Sequence, residues 1–171
     1  MLSKKMEDAI NQQINAELYS AYIYAAMQAD LEDKNLKGAA TWMQMQIQEE
    51  LSHAAKFVNY INERQGRVIL EAIDKPPHEW DSVLEIFKGA YKHECYISGR
   101  INDLVSLARD ENDHATYNFL QWYVSEQVEE EASVDEVVQK LKLIGDNGYG
   151  IFMLDQELGS RTFSPPADSP A

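Results

Sequence analysis

Residues 42–54 read WMQMQIQEELSHA, a run of good helix formers without Pro or Gly. Helices of a bundle bury positions spaced alternately by three and four. In that phase the seam is Ala39, Met43, Gln46, Glu50, His53, Phe57, Tyr60, so an amide, a carboxylate and an imidazole take three successive core positions. Three other segments repeat the pattern. Their seams are Ile10, Ile14, Glu17, Ala21, Tyr24, Gln28, Leu31; Val83, Phe87, Ala90, Glu94, Ile97, Ile101, Leu104, Ala108; and Leu120, Tyr123, Gln127, Glu130, Val134, Val137, Leu141, Ile144. Each seam is mostly apolar and is broken by an ionisable or amide group near its middle.

Around these seams the chain reads as helices over 4–32, about 39–65, 83–109 and about 115–144. Turns fall at Asp33-Lys34-Asn35 and at Asp110–Asp113, and Gly66 is the expected cap of the second helix. Pro76-Pro77 excludes a helix from 67–82, which reads as an extended crossover. A helix of about 27 residues is roughly 40 Å long, and sixteen extended residues reach about 50 Å, enough to run the length of the bundle. The glycines at 145, 148 and 150 break the fourth helix, and 151–158 reads as a short fifth one. The expected fold is all-α: a four-helix bundle with one long crossover plus a short fifth C-terminal helix. One domain spans 1–160, and 161–171, ending in SPPADSPA, is expected to be a flexible tail.

The four interruptions share a height. Residues equidistant from a turn face each other in an antiparallel hairpin. Glu17 and Glu50 are centred on the first turn, and Glu94 and Gln127 on the second. The pairs 17/94, 50/127 and 53/130 share one offset, and 42–54 is weakly alike to 119–131 at that offset. Two hairpins therefore converge on one central site. Burying Glu17, Glu50, Glu94 and Glu130 uncompensated costs several kcal/mol per charge, about as much as in other buried ions. Two divalent cations would neutralise them, and oxygen-rich ligation with one imidazole suits iron or manganese better than copper or structural zinc. In that reading Glu50 bridges two metals, with Glu17 and His53 on one and Glu94 and Glu130 on the other.

Other polar residues have plainer readings. Glu111-x-x-His114 also fits the spacing, but lies at a turn and out of phase. Glu131 and Glu136 read as a solvated helix face, Tyr123 as a core tyrosine, Cys95 as a plain buried cysteine, and His78 and His93 as surface residues. The chain has 171 residues, with 29 Asp+Glu against 15 Lys+Arg, a formal charge of −14. Such acidity argues against nucleic-acid and anionic-membrane partners. One cysteine excludes a disulfide framework and a thiolate zinc site. The N-terminal stretch lacks the apolar core of a signal peptide and no run approaches a membrane span, so a cytoplasmic protein is expected.

With these residues placed, the chain resembles ferritin of the non-haem bacterial and archaeal type. The resemblance runs from Lys5 to Leu158 and is carried by INAELYSAY (14–22) with Tyr24, QEELSHA (48–54), YKHE (91–94) and NFLQWYVSEQVEEE (118–131). Ferritin-like di-iron bundles typically carry two Glu-x-x-His motifs; here the second is Gln127-x-x-Glu130, which implies a weaker, more labile second metal position. The resemblance implies one ferroxidase iron on Glu17, Glu50 and His53 and a second on Glu50, Glu94 and Glu130 with Gln127 nearby. It further implies a third, inner-facing iron site on Glu49, Glu126, Glu129 and Glu130, and Tyr24 as a tyrosine beside the centre that can supply an electron. Gln127 is a candidate partner for the second nitrogen of His53.

The activity so implied is that of a ferroxidase. Fe(II) is oxidised with O2 (or H2O2), and Fe(III) is stored as ferric oxyhydroxide within a homo-oligomeric shell of 24 subunits. Haem is not expected: the haem-ligating methionine of bacterioferritins follows the bridging glutamate, where this chain has Leu51. Rubrerythrins need several cysteines. The DNA-protecting mini-ferritins place their metal between subunits, whereas here one bundle holds a complete set. A helical interaction module without metal would not bury so many carboxylates.

Overall fold

The computed structural model describes residues 2–163, which form five α-helices and no strand. The helices are α1 (Lys4–Asp33), α2 (Lys37–Glu63), α3 (Val83–Asp110), α4 (His114–Ile144) and α5 (Gly148–Leu158). Short polar side chains start four of them. Ser3, Ser82 and Asp113 each accept a hydrogen bond from the third backbone N–H of their helix, and Asn147 accepts from Tyr149 and Gly150.

The first three helices end alike. Asn35, Gln65 and Asn112 adopt left-handed backbone, with φ of 58°, 58° and 56°. The next residue closes each end: the amides of Leu36, Gly66 and Asp113 donate to the carbonyls of Leu31, Ile61 and Ala108 at 2.9–3.0 Å. The expected cap at Gly66 is thus corrected by one residue, because Gln65 takes the left-handed position. Gly66 leaves room for neighbouring side chains instead: a Cβ there would lie 2.8 Å from Glu7 Oε2 and 3.0 Å from Ile61 Cγ2.

The crossover runs along α1, as its length requires. Glu7, Asn11 and Asn15, one turn apart, bind it through backbone groups. Glu7 accepts from the Arg67 amide (2.9 Å), Asn11 donates to the Arg67 carbonyl (2.9 Å) and accepts from the Ile69 amide (2.7 Å), and Asn15 donates to the Ala72 carbonyl (3.1 Å). An extended segment without partner strands thereby has part of its polar backbone satisfied.

The bundle core is split. One apolar cluster gathers Tyr24, Met27, Leu31, Met43, Phe87, Ala90, Val134 and Leu141 at the α1/α2 turn end, with Leu154 and Leu158 of α5. The other gathers Met6, Ile10, Ile14, Phe57, Ile61, Ile101, Leu104, Leu120 and Tyr123 at the opposite end. Between them lies a layer of buried polar groups: Gln13, Glu17, Gln46, Glu50, His53, Glu94, Gln127 and Glu130. The seam of α1 differs by one residue from expectation, with Met27 buried in place of Gln28. The helix α5 starts at Gly148, three residues before the expected Ile151, because Asn147 caps it.

Two further expectations are corrected. His93 is buried, since it faces α1 across the α1–α3 contact and hydrogen-bonds Ser20 Oγ through Nε2 at 2.8 Å. Cys95 is exposed, because Glu94 and Ile97 take the inward face of that turn. His78 is exposed, as expected. Residues 164–171, most of the expected tail, lie outside those described.

Candidate metal centre

Four helices each contribute one carboxylate at one height. Glu17 (α1), Glu50 (α2), Glu94 (α3) and Glu130 (α4) are 0–5% exposed, and none pairs with Lys or Arg among the described residues. Their partners are amides and hydroxyls instead. Gln13 donates to Glu17 Oε1 at 2.8 Å and Gln46 to Glu130 Oε2 at 2.8 Å. The Tyr24 hydroxyl donates to Glu94 Oε1, and Gln127 donates to Glu94 Oε2 at 3.1 Å. Tyr123 reaches across from α4 to donate to the His53 carbonyl at 2.8 Å, so its hydroxyl is satisfied in the core.

Several polar atoms of this layer have no hydrogen bond among the described residues. Glu17 Oε2, Glu50 Oε2, Gln46 Oε1 and His53 Nε2 are buried without a hydrogen bond. A buried unsatisfied group costs about 1–3 kcal/mol, more when charged, and here several converge. Glu17, Glu50 and His53 bring ligand atoms within 4.8 Å of one another, and so do His53, Glu126 and Glu130. His53 sits between the two groups, with Nδ1 3.5 Å from Glu50 Oε2 and Nε2 3.8 Å from Glu126 Oε1. Gln127 does not serve His53; its amide is spent on Glu94 and on Ser98.

The electrostatics follow from this crowding. Burial, then the Glu94 charge, holds the Glu50 carboxyl well above the usual range, although His53 partly offsets them. Burial and Glu130 push Glu94 up to about 8. Burial also raises Glu130, opposed by the Gln46 amide. For His53 burial works against the charged form, but Glu126 and Glu50 outweigh it and raise the imidazole. A set of carboxylates that resists ionising together is one that a cation would stabilise.

The flanking acids differ. Glu126 is half-buried beside His53 and Glu129 is exposed. Glu49 is half-buried, with its carboxyl raised to about 7 by burial and Glu130 against the pull of Arg161. Arg161 donates to Glu49 Oε2 at 2.8 Å. Glu131 accepts from Ser98, and Glu136 pairs with Lys140 at 2.6 Å on the surface. Sequence reading left Gln13 and Arg161 without a role. Gln13 could have been found one turn before Glu17 on the same face; Arg161, in the expected tail, carries no local signal.

The chain as a whole has known relatives. A family model described as ferritin-like domain matches residues 7–144. The chain belongs to the ferritin family. Bacterial non-heme ferritins from Campylobacter jejuni and Bacteroides fragilis are 41% and 42% identical to it, over 91% and 94% of this chain and 93% and 100% of theirs. The open-pore ferritin of the hyperthermophilic archaeon Archaeoglobus fulgidus superposes with a TM-score of 0.94 at 51% identity, covering 95% of this chain and all of that one. A closed form of that protein made by site-directed mutagenesis gives 0.95 at 51%. As a ferritin, the chain is an iron-storage protein with an all-α fold, and the carboxylate–histidine layer is its candidate iron site.

Proposed function

We propose that this ferritin is a ferroxidase whose Fe(II) substrate binds in the polar layer and whose Fe(III) product is stored as ferric oxyhydroxide inside a shell of 24 copies. The observation that carries the proposal is the convergence of buried Glu17, Glu50 and His53, whose ligand atoms lie within 4.8 Å of one another, with Glu17 Oε2, Glu50 Oε2 and His53 Nε2 lacking a hydrogen bond among the described residues.

Glu17, Glu50 and His53 take one Fe(II). A second is held by Glu50, Glu94 and Glu130, with Gln127 beside it. Glu50 lies between the two, and each ion gives one electron to O2. The protein positions both and neutralises their charge; the redox chemistry belongs to iron. In this reading Tyr24, whose hydroxyl donates to Glu94 Oε1, supplies a further electron and holds the carboxylate's orientation. Glu49, Glu126 and Glu129, with Glu130, form the third, inner site on the exit side. Exposed apolar side chains at Tyr22, Leu51, Leu70, Val128, Leu143 and Phe152 supply surface for packing between copies. No helix is long and apolar enough to cross a membrane among the described residues, which suits a cytoplasmic store.

Glu50→Ala and His53→Ala are expected to abolish rapid Fe(II) oxidation in stopped flow while light scattering still gives an assembled shell. Unchanged initial rates in both variants would remove the site assignment.

A further inference from the structure

Among the described residues, one cation from outside the four-helix layer reaches the acidic cluster, and it comes from beyond α5. Its placement is built by packing. Gly38 in α2 allows the backbone of α5 to come so close that a Cβ would lie 1.6 Å from the Asp155 carbonyl oxygen and 3.0 Å from the Gly159 nitrogen. Asp155 Oδ1 accepts from the Ala39 amide at 2.8 Å and fixes that contact. The chain leaving α5 is thereby laid along α2, and Arg161 lands one helical face from the site. Its guanidinium lies 4.5 Å from the Trp42 ring centre and donates through Nη2 to Glu49 Oε2 at 2.8 Å.

The pairing is a poor structural salt bridge. Only one guanidinium nitrogen engages the carboxylate, whereas Arg and carboxylate pair best in a two-pronged fork. Nη1 is buried and has no partner among the described residues. Glu49 is also absent from both groups of converging ligand atoms, although His53, Glu126 and Glu130 gather beside it.

We propose that Arg161 is a built-in counter-ion of the inner site, occupying Glu49 until a third metal ion displaces it. The inference rests on the iron-site reading above. Arg161 supplies one positive charge to an acidic cluster that would otherwise repel itself, and a divalent ion supplies two. Binding at the third position therefore exchanges guanidinium for metal on Glu49 and carries that cost, so the third ion binds more weakly than the first two. Arg161 hydrogen-bonds Glu49 and none of the ligands of the first two positions, and reaches the second only through its charge on Glu130, so it sets the order of filling chiefly at the third.

Zn(II), which has no redox chemistry here, tests this by calorimetric titration of the full chain. Arg161→Gln is expected to tighten the third Zn(II) about tenfold, in line with losing one charge-assisted bond, with the first affinity unchanged and the second altered less than the third through Glu130. The gain must vanish when Glu49→Gln is added. Equal or weaker third-site binding in Arg161→Gln overturns the counter-ion role while leaving the ferroxidase reading intact. Absence of any tight Zn(II) in the unaltered protein removes that reading and this inference together. A second measurement needs no variant: phenylglyoxal labelling of Arg161, followed by peptide mass spectrometry, should be slow without metal and speed up several-fold only beyond two Zn(II) per chain. A labelling rate indifferent to Zn(II) overturns the proposal.

Discussion

At the residue scale, buried groups divide into those that have found partners and those kept waiting for one. His93 is of the first kind. Its imidazole is held neutral by burial, down to about 4, and shares a hydrogen bond with Ser20 Oγ. Ser20→Ala should cost about 1–3 kcal/mol, the penalty of a buried polar group left alone, and denaturant melts of the metal-free protein would register it without change in Fe(II) oxidation. Glu17 and Glu50 are of the second kind, each with one buried oxygen that has no hydrogen bond among the described residues. Glu129 tests where that group ends: it is exposed and belongs to neither converging cluster. Glu129→Ala is expected to spare the fast phase of oxidation and to change the iron-to-oxygen ratio measured at higher iron loading. An identical ratio in both proteins would take Glu129 out of the inner site. The core glutamates were legible in sequence because they violate a phase that the apolar residues set. His93 was not, since its partner Ser20 lies on another helix and outside any seam. Cys95 was expected in the core although it lies about 100° around the helix from Glu94, and that turn puts it on the exposed face.

At the element scale, the helices, both hairpin turns and the long crossover could be read because each depends on local chemistry: caps, Pro76-Pro77 and short polar turns. What sequence could not give is where α5 goes, because that is decided by one contact 117 residues from Asp155 at Gly38. Gly38→Ala must push backbone against backbone, not a flexible side-chain tip. The expected cost is about 1–3 kcal/mol, typical of overpacking. Hydrogen exchange should rise across 148–158 as the Ala39–Asp155 bond opens, while α1 to α4 keep their protection. The contrast is Gly99 in α3, where an added Cβ meets nothing within 4 Å of the chain. Gly99→Ala should stabilise by about 0.5–1 kcal/mol through lower chain entropy in the unfolded state.

For the whole molecule, the polar layer makes stability and metal binding pull in opposite directions, and pH separates them. Glu94 is raised to about 8 and Glu50 well above the usual range, both first by burial. A carboxyl whose folded value is raised contributes stability that is fully present below its unfolded value, near 4.5, and is lost as pH rises through the folded one. Between those limits the unfolded chain has released a proton that the folded chain keeps, so stability falls by about 1.4 kcal/mol per pH unit for each such group. His93 acts at the acid side. Its lowered value means that stability is present above about 6.5 and lost as pH falls towards about 4. The metal-free protein should therefore be most stable in mildly acidic solution and lose melting temperature from about pH 6 to pH 8.5. Bound divalent ions reverse the alkaline limb, because ligands must be deprotonated to hold them and metal binding stabilises more as protons leave. Thermal melts with and without Zn(II) across that range decide the matter. Glu94→Gln, which cannot ionise, should flatten the metal-free alkaline limb. A metal-free melting temperature that rises steadily to pH 8.5 would mean that the layer is ionised without a cation, and that its carboxylates are not held ready for one.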